Sequence, residues 1–207
     1  MATAIKELYD GDLGIIKLLS PPFDKTSRSP GYIKGYPPGI RENGGQYTHA
    51  AVWGAMATAE IGDGGLAFRM LCDINPAVGS EKMLIRYGAE PYVLCGDVGS
   101  VGRNAGRGGW SWYTGAAGWY RTAVISSLCG YKESGGGFYF SPALSDDFCG
   151  YSLEIIKGGS IYRVCVSCGE ENVVCLDGDV ISEGKPVFET LFYPDGKEHV
   201  IKIAVKK

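Results

Sequence analysis

The stretch Arg41-Glu42-Asn43-Gly44-Gly45-Gln46-Tyr47-Thr48-His49 carries a guanidinium, a carboxylate and an imidazole close together in the chain. It passes from a glycine-bearing loop into the apolar run Ala50-Ala51-Val52-Trp53, which places His49 in the first turn of a helix. The first turn of a helix offers unpaired N–H groups and the positive end of the peptide dipole, so it favours an anion. A second segment, Gly106-Arg107-Gly108-Gly109-Trp110-Ser111-Trp112-Tyr113-Thr114-Gly115-Ala116-Ala117-Gly118-Trp119, repeats the design. Two loop-to-helix entries of this kind predict one shared site for an anion and for a ligand that stacks on aromatic rings. A pyranose fits the second role, because its C–H faces lie on aromatic planes and its hydroxyls need charged or amide partners.

Each of these residues also has a plainer role open to it. A histidine at a helix start can be a cap or a buried core residue. Thr114 reads as the N-cap of its helix, a role that needs no ligand yet is compatible with one. Arg41 and Glu42 can form a solvated ion pair, while Gln46 and Tyr47 suit packing as well as a pocket wall. Trp110, Trp112 and Trp119 could stack on sugars, and at least two of them are expected in the core. Cys165-x-x-Cys168 with Cys175 nearby hints at zinc, but residues three apart in a strand face opposite sides and no fourth ligand follows at suitable spacing. Asp146-Asp147 lies between Pro142 and Gly150 and reads as a solvated turn. The glycines of 99–109 lack a P-loop lysine and any strand–glycine–helix unit, so no nucleotide motif is present.

The elements that must position these residues fall into two halves. Residues 1–19 read as an amphipathic helix with a glycine interruption. Residues 20–46 hold five of the ten prolines and form a long loop, a feature that usually serves function in a compact domain. A helix over 47–61 is apolar on nearly all sides and is expected to be buried. Further helices are read at 65–74, 79–87 and 114–129, with 91–96 extended. Paired helices joined by glycine turns fit an α/α toroid. After Gly130 the pattern alternates, with strands at 138–140, 151–155, 161–166, 173–176 and 200–205 separated by Lys157-Gly158-Gly159, Asp177-Gly178 and Pro194-Asp195-Gly196-Lys197. The reading is an α+β chain whose strands form a small antiparallel domain.

Bulk properties restrict the partners. The 207 residues carry a formal net charge of −3, so no global field attracts nucleic acid. No apolar run approaches the ~18 residues of a membrane span, and the first residues lack a signal-peptide core. Seven cysteines, an odd number mostly set in apolar runs, point to free buried thiols and a reducing cytoplasm.

Ser20-Pro21-Pro22-Phe23-Asp24, Pro30-Gly31-Tyr32-Ile33-Lys34-Gly35-Tyr36, the Arg41–His49 segment, Glu90-Pro91-Tyr92 and Gly108–Gly115 together resemble glycoside hydrolase family 94. That family holds cellobiose and chitobiose phosphorylases and the C-terminal part of cyclic β-1,2-glucan synthases. The Gly-Arg-Gly-Gly-Trp form of the second motif is similar to the β-1,2-glucan branch. The resemblance implies the last helices of an (α/α)6 barrel over 1–130 and a small β-sandwich over 131–207. It implies phosphate binding by His49, Thr114 and the backbone of Gly115, and sugar binding by Arg41 and Glu42, with Gln46 and Tyr47 beside them. The family's general-acid aspartate lies in an upstream segment with no counterpart here, so no catalytic residue is expected in this chain, and no metal or cofactor. The implied function is that of the C-terminal portion of an inverting phosphorylase acting on a β-glucan oligosaccharide with phosphate as co-substrate. Its partner would be the N-terminal part of the enzyme, or a second copy of the chain covering exposed helix faces. A non-catalytic sugar- and phosphate-binding fragment, or a structural remnant, remains the alternative.

Overall fold

The computed structural model describes residues 1–112, 114–185 and 188–206. The chain divides into two compact units, Met1–Ile61 with Leu66–Ala123, and Gly62–Gly65 with Val124–Lys207. Helices and several sheets coexist, so the fold is mixed α+β.

The first unit opens with α1 (Ala2–Leu8), followed by a small hairpin of β1 (Tyr9–Asp10) and β2 (Ile15–Ile16). The expected single helix over 1–19 is therefore corrected. Asp10 breaks it by accepting the Leu13 N–H at 3.1 Å, and Gly14 turns the chain at φ 66°. Ile15 and Ile16 then become buried. The long loop that follows is pinned by Asn43, which is fully buried. Its amide donates to the carbonyls of Phe23 (3.2 Å) and Tyr36 (2.8 Å), and its Oδ1 accepts the Phe23 N–H at 2.6 Å.

Next come β3 (Gln46–Tyr47) and α2 (Thr48–Glu60), the latter stopped where Gly62 takes φ 92°. Thr48, Ala51, Val52, Ala55, Thr58 and Ala59 make one buried stripe of α2. Burial is not all-round as expected, because Trp53 falls off that stripe and is 50% exposed. Helix α3 (Gly64–Ile74) buries Ala67, Met70, Leu71 and Ile74, the i, i+3, i+4, i+7 pattern of a helix packed on one face. Helix α4 (Glu81–Tyr87) starts at Ser80, whose Oγ accepts the Met83 N–H, and ends at Gly88, φ 64°.

The extended segment read at 91–96 is a turn. The Tyr87 hydroxyl donates to the Val93 carbonyl (2.9 Å) and accepts the Cys95 N–H (2.7 Å), which holds this stretch out of a ladder. The strand falls two residues later, at β4 (Asp97–Val98), and pairs on either side with β3 and β5 (Gly108–Gly109). Helix α5 (Thr114–Thr122) packs on α2, and the chain then runs through a π-helical turn over Ala123–Leu128. No helix among the described residues is long and apolar enough to cross a membrane.

The second unit contains β6 (Tyr131–Ser134), β7 (Gly137–Phe140), β8 (Gly150–Lys157), β9 (Ser160–Gly169), β10 (Val173–Leu176), β11 (Asp179–Glu183), β12 (Phe188–Leu191) and β13 (Glu198–Lys206). One sheet has the order β11-β10-β13-β9-β8 and the other β12-β7-β6. All pairings are antiparallel except β13 with β9, which is parallel, so the wholly antiparallel domain expected from the turn signals is corrected at this pair. The β8–β9 and β10–β11 turns set Gly158 and Gly159, then Asp177 and Gly178, at positive φ, the geometry that suits a two-residue hairpin. Alternation on β9 turns Tyr162, Val164 and Val166 into a core shared with Phe138, Phe140, Phe188, Ile201 and Ile203, and turns Cys165 out to solvent. Buried thiols are thus confined to Cys95 and Cys129, and all seven cysteines are unpaired. Asp146 and Asp147 are exposed in a bend closed by Ser145 and Phe148.

His199 at the start of β13 is only 9% exposed, and its ring stacks on Tyr162 with centroids 5.1 Å apart. Its Nδ1 lies 2.8 Å from Asp177 Oδ2 and its Nε2 3.2 Å from Asp195 Oδ1. The Asp177 bond leads in raising the imidazole pKa, and the aspartates are correspondingly lowered, Asp195 to about 2. A raised histidine contributes stability below its unfolded pKa and loses it as pH rises through the folded one; lowered aspartates contribute above ~3.8. Unit two is expected to be most stable between about pH 4 and about pH 6.5 and to weaken above that window. His199→Gln should flatten this decline in a thermal-unfolding series against pH; an unchanged decline would remove the histidine from the account.

Candidate functional site

The three-stranded β3–β4–β5 sheet joins the two glycine-rich motifs. Tyr47 lies opposite Asp97, and Asp97 opposite Gly109. The ladder extends past the strands through Thr48 N–H to Gly96 C=O and Gly96 N–H to Trp110 C=O, each 3.0 Å. The start of α2 and the loop leading to α5 are thereby fixed to one strand. Close approach demands glycine in β5: a Cβ on Gly108 would lie 2.6 Å from Cys95 Sγ, and one on Gly109 2.9 Å from Asp97 Oδ1.

His49 and Gly115, far apart in sequence, meet here. A Cβ on Gly115 would lie 2.9 Å from His49 Cε1, so the imidazole rests on the first turn of α5. The ring is also edge-on to Trp53 (5.5 Å) and Trp119 (6.2 Å), and these two rings meet at 5.4 Å. No side chain caps the start of α2. Thr114 is the first residue of α5 rather than its N-cap; the cap position falls on Tyr113, outside the described residues. Thr114 and Gly115 are both exposed.

Arg41 and Glu42 form a recessed pair rather than a solvated one. Their side chains are each 17% exposed, with Arg41 Nε 3.5 Å from Glu42 Oε2. Arg41 has φ 47°, and its guanidinium lies 4.7 Å over the Trp110 ring and 5.3 Å from that of Tyr36. Gln46 is 1% exposed, and its Oε1 accepts the Ile16 N–H at 2.9 Å, which ties it to the hairpin; Tyr47 is half-buried on β3. The expectation that at least two tryptophans enter the core is overturned, since Trp110, Trp112 and Trp119 are 55%, 61% and 38% exposed. Positive φ at Trp110 and Trp112 turns these rings outward, and the Trp112 indole N–H donates to Glu90 at 2.9 Å.

Sequence reasoning missed Asp97 and Thr48, which are 4% and 1% exposed. Four polar atoms in this region are buried with no hydrogen-bond partner: Arg41 Nε, Glu42 Oε2, Thr48 Oγ1 and Asp97 Oδ1. Burial raises the Asp97 pKa, and the nearby Glu42 adds to this, while the charge and backbone N–H of Arg41 work against it. A carboxylate within the apolar stretch Val93–Val98 was the available signal, because a charge there must find a partner. Arranged this way, the site offers donors and acceptors beside an aromatic surface, and a histidine against a helix start.

Two glycines of α5 separate packing from propensity. Gly118 has nothing within 4 Å of an added Cβ, so Gly118→Ala should stabilise the unit by about 0.5–1 kcal/mol. Gly115→Ala should instead displace the His49 ring and shift its imidazole proton resonances. Unmoved His49 resonances in Gly115→Ala would contradict this contact.

Residues 1–130 match the Glycosyl hydrolase 94 superfamily, catalytic domain. The chain is 42% identical over 170 residues to the cyclic beta-(1,2)-glucan synthase NdvB of Rhizobium meliloti (strain 1021), covering 81% of this chain and 6% of that protein. It is 26% identical over 207 residues to the solabiose phosphorylase of Paenibacillus borealis, covering 97% of this chain and 26% of the relative. Against the N,N'-diacetylchitobiose phosphorylase of Vibrio proteolyticus the identity is 25% over 152 residues, 73% of this chain and 19% of the relative. The chain therefore spans only a small part of the length of these relatives. The match over 1–130 and the shared motifs place the chain in the glycosyl hydrolase 94 superfamily.

Proposed function

We propose that this chain is the C-terminal portion of an inverting glycoside phosphorylase that acts on β-glucosides, foremost β-1,2-glucan or its oligomers. Inorganic phosphate would be the co-substrate and α-glucose 1-phosphate the product. In this reading residues 1–130 supply the last helices of an (α/α)6 toroid and residues 131–207 a β-sandwich domain. The exposed Trp53 and Ile61 at 50% and 60% suit a surface that further barrel helices or a second copy would cover. The free cysteines suit a reducing cytoplasm.

The observation that carries the reading is the His49 ring seated on Gly115, which sets an imidazole against the N-terminus of α5. Phosphate bound there would take hydrogen bonds from His49, Thr114 and the backbone of Gly115, with the helix dipole adding to them. Arg41 and Glu42 would hold the glucosyl hydroxyls, with Tyr47 and Gln46 behind them. A phosphate oxygen attacks the anomeric carbon in line as the glycosidic C–O bond breaks, and an aspartate outside these residues protonates the departing oxygen. Phosphate replaces the activated water of an inverting hydrolase, so no second carboxylate base is required. The likeness to the cyclic β-1,2-glucan synthase supports the choice of linkage.

The 207-residue chain by itself is expected to bind without turnover. In binding titrations His49→Ala should weaken inorganic phosphate roughly ten- to a hundredfold and leave a β-linked glucose disaccharide little changed, and Glu42→Gln should do the reverse. Phosphate binding unaffected by His49→Ala would return the histidine to a packing role, and phosphate release from α-glucose 1-phosphate by the chain would place a proton donor within it.

A further inference from the structure

We propose that Asp97 is a positioning residue of the sugar site: its carboxylate holds the Arg41 turn and keeps Glu42 free to accept sugar hydroxyls. This rests on the reading of Arg41 and Glu42 as sugar-binding groups.

Asp97 occupies the middle strand of the β3–β4–β5 sheet, facing both motifs, and is 4% exposed. The backbone N–H of Arg41 hydrogen-bonds to it, and the Arg41 and Glu42 charges both act on it. The turn it holds is strained and crowded. Arg41 adopts φ 47°, and a Cβ on Gly45 would lie 2.8 Å from the Arg41 nitrogen, so both glycine space and an acceptor are needed to keep that backbone in place. With two carboxylates beside one guanidinium, Arg41 is not captured by Glu42. The pair stays 3.5 Å apart, and Glu42 Oε2 and Asp97 Oδ1 both remain buried without a hydrogen-bond partner. An ordinary structural carboxylate would be fully paired at this depth. Burial instead raises the Asp97 pKa, so its charge opposes folding above the unfolded carboxylate range. The group is therefore poorly suited to stabilising the fold and well suited to orienting a neighbour. Without its charge, Arg41 would close onto Glu42 and occupy the oxygen that a hydroxyl needs.

Asp97→Asn in the 207-residue chain keeps the shape and removes the charge. Binding of a β-1,2-linked glucose disaccharide and of inorganic phosphate can be followed by tryptophan fluorescence, since Trp110 lies under Arg41. We expect disaccharide affinity to fall about tenfold or more, phosphate affinity to stay within about twofold, and the melting temperature to hold or rise. Unchanged disaccharide affinity would overturn the proposal. So would a melting temperature that falls with both affinities, or a variant that does not fold, because either makes the carboxylate a requirement of the fold. If the wild-type chain binds phosphate but no disaccharide, the sugar reading of Arg41 and Glu42 fails first and this proposal fails with it.

Discussion

Asp97 and Val98 pair with Gln46–Tyr47 on one edge and with Gly108–Gly109 on the other, and the placement of every proposed ligand group in the first unit follows from that pairing. A strand of two residues is weak in isolation. Here it gains from the Tyr87 hydroxyl, which satisfies the Cys95 N–H just before it, and from glycines that let β5 approach within contact of Cys95 and Asp97. The same pairing delivers His49 to one side and the loop before α5 to the other. The His49–Gly115 contact is thus a consequence of backbone register rather than of an isolated side-chain preference.

The polar groups around this sheet are under-satisfied. Four buried side-chain atoms from Arg41, Glu42, Thr48 and Asp97 lack partners, in a unit where other buried polar residues such as Asn43 and Gln46 are hydrogen-bonded. Unpaired buried polar atoms cost about 1–3 kcal/mol each, so such a concentration needs compensation elsewhere. The alanine-rich stripe of α2 and the packed face of α3 supply apolar burial close by. A sugar whose hydroxyls both donate and accept is the kind of ligand that would relieve the deficit.

Much of this was legible in the chain. Both loop-to-helix entries, helices α2 to α5 and most strands after Gly130 follow from period, glycine and proline punctuation. The features that were not legible depend on long-range contacts. The helix read over residues 1–19 lost to a hairpin because Ile16 finds its partner in Gln46, thirty positions later. The shift of the strand from 91–96 to Asp97–Val98 depends on the Tyr87 hydroxyl, and local propensity carries no trace of it. The tryptophans, expected inside by size, are turned out by backbone at positive φ, which sequence does not announce for a bulky residue. The parallel β9–β13 pairing is likewise a choice of topology rather than of composition.

The central claim is that two motifs distant in sequence form one pocket with separate places for an anion and a sugar. Amide chemical-shift mapping on isotopically labelled chain tests it most directly, with inorganic phosphate and a β-1,2-linked glucose disaccharide added in turn. Phosphate should move the resonances of His49, Gly115 and Ala116, and the disaccharide those of Arg41, Glu42 and Asp97, with the strands of the second unit silent. Shifts confined to the second unit, or the same residues responding to both ligands, would contradict it.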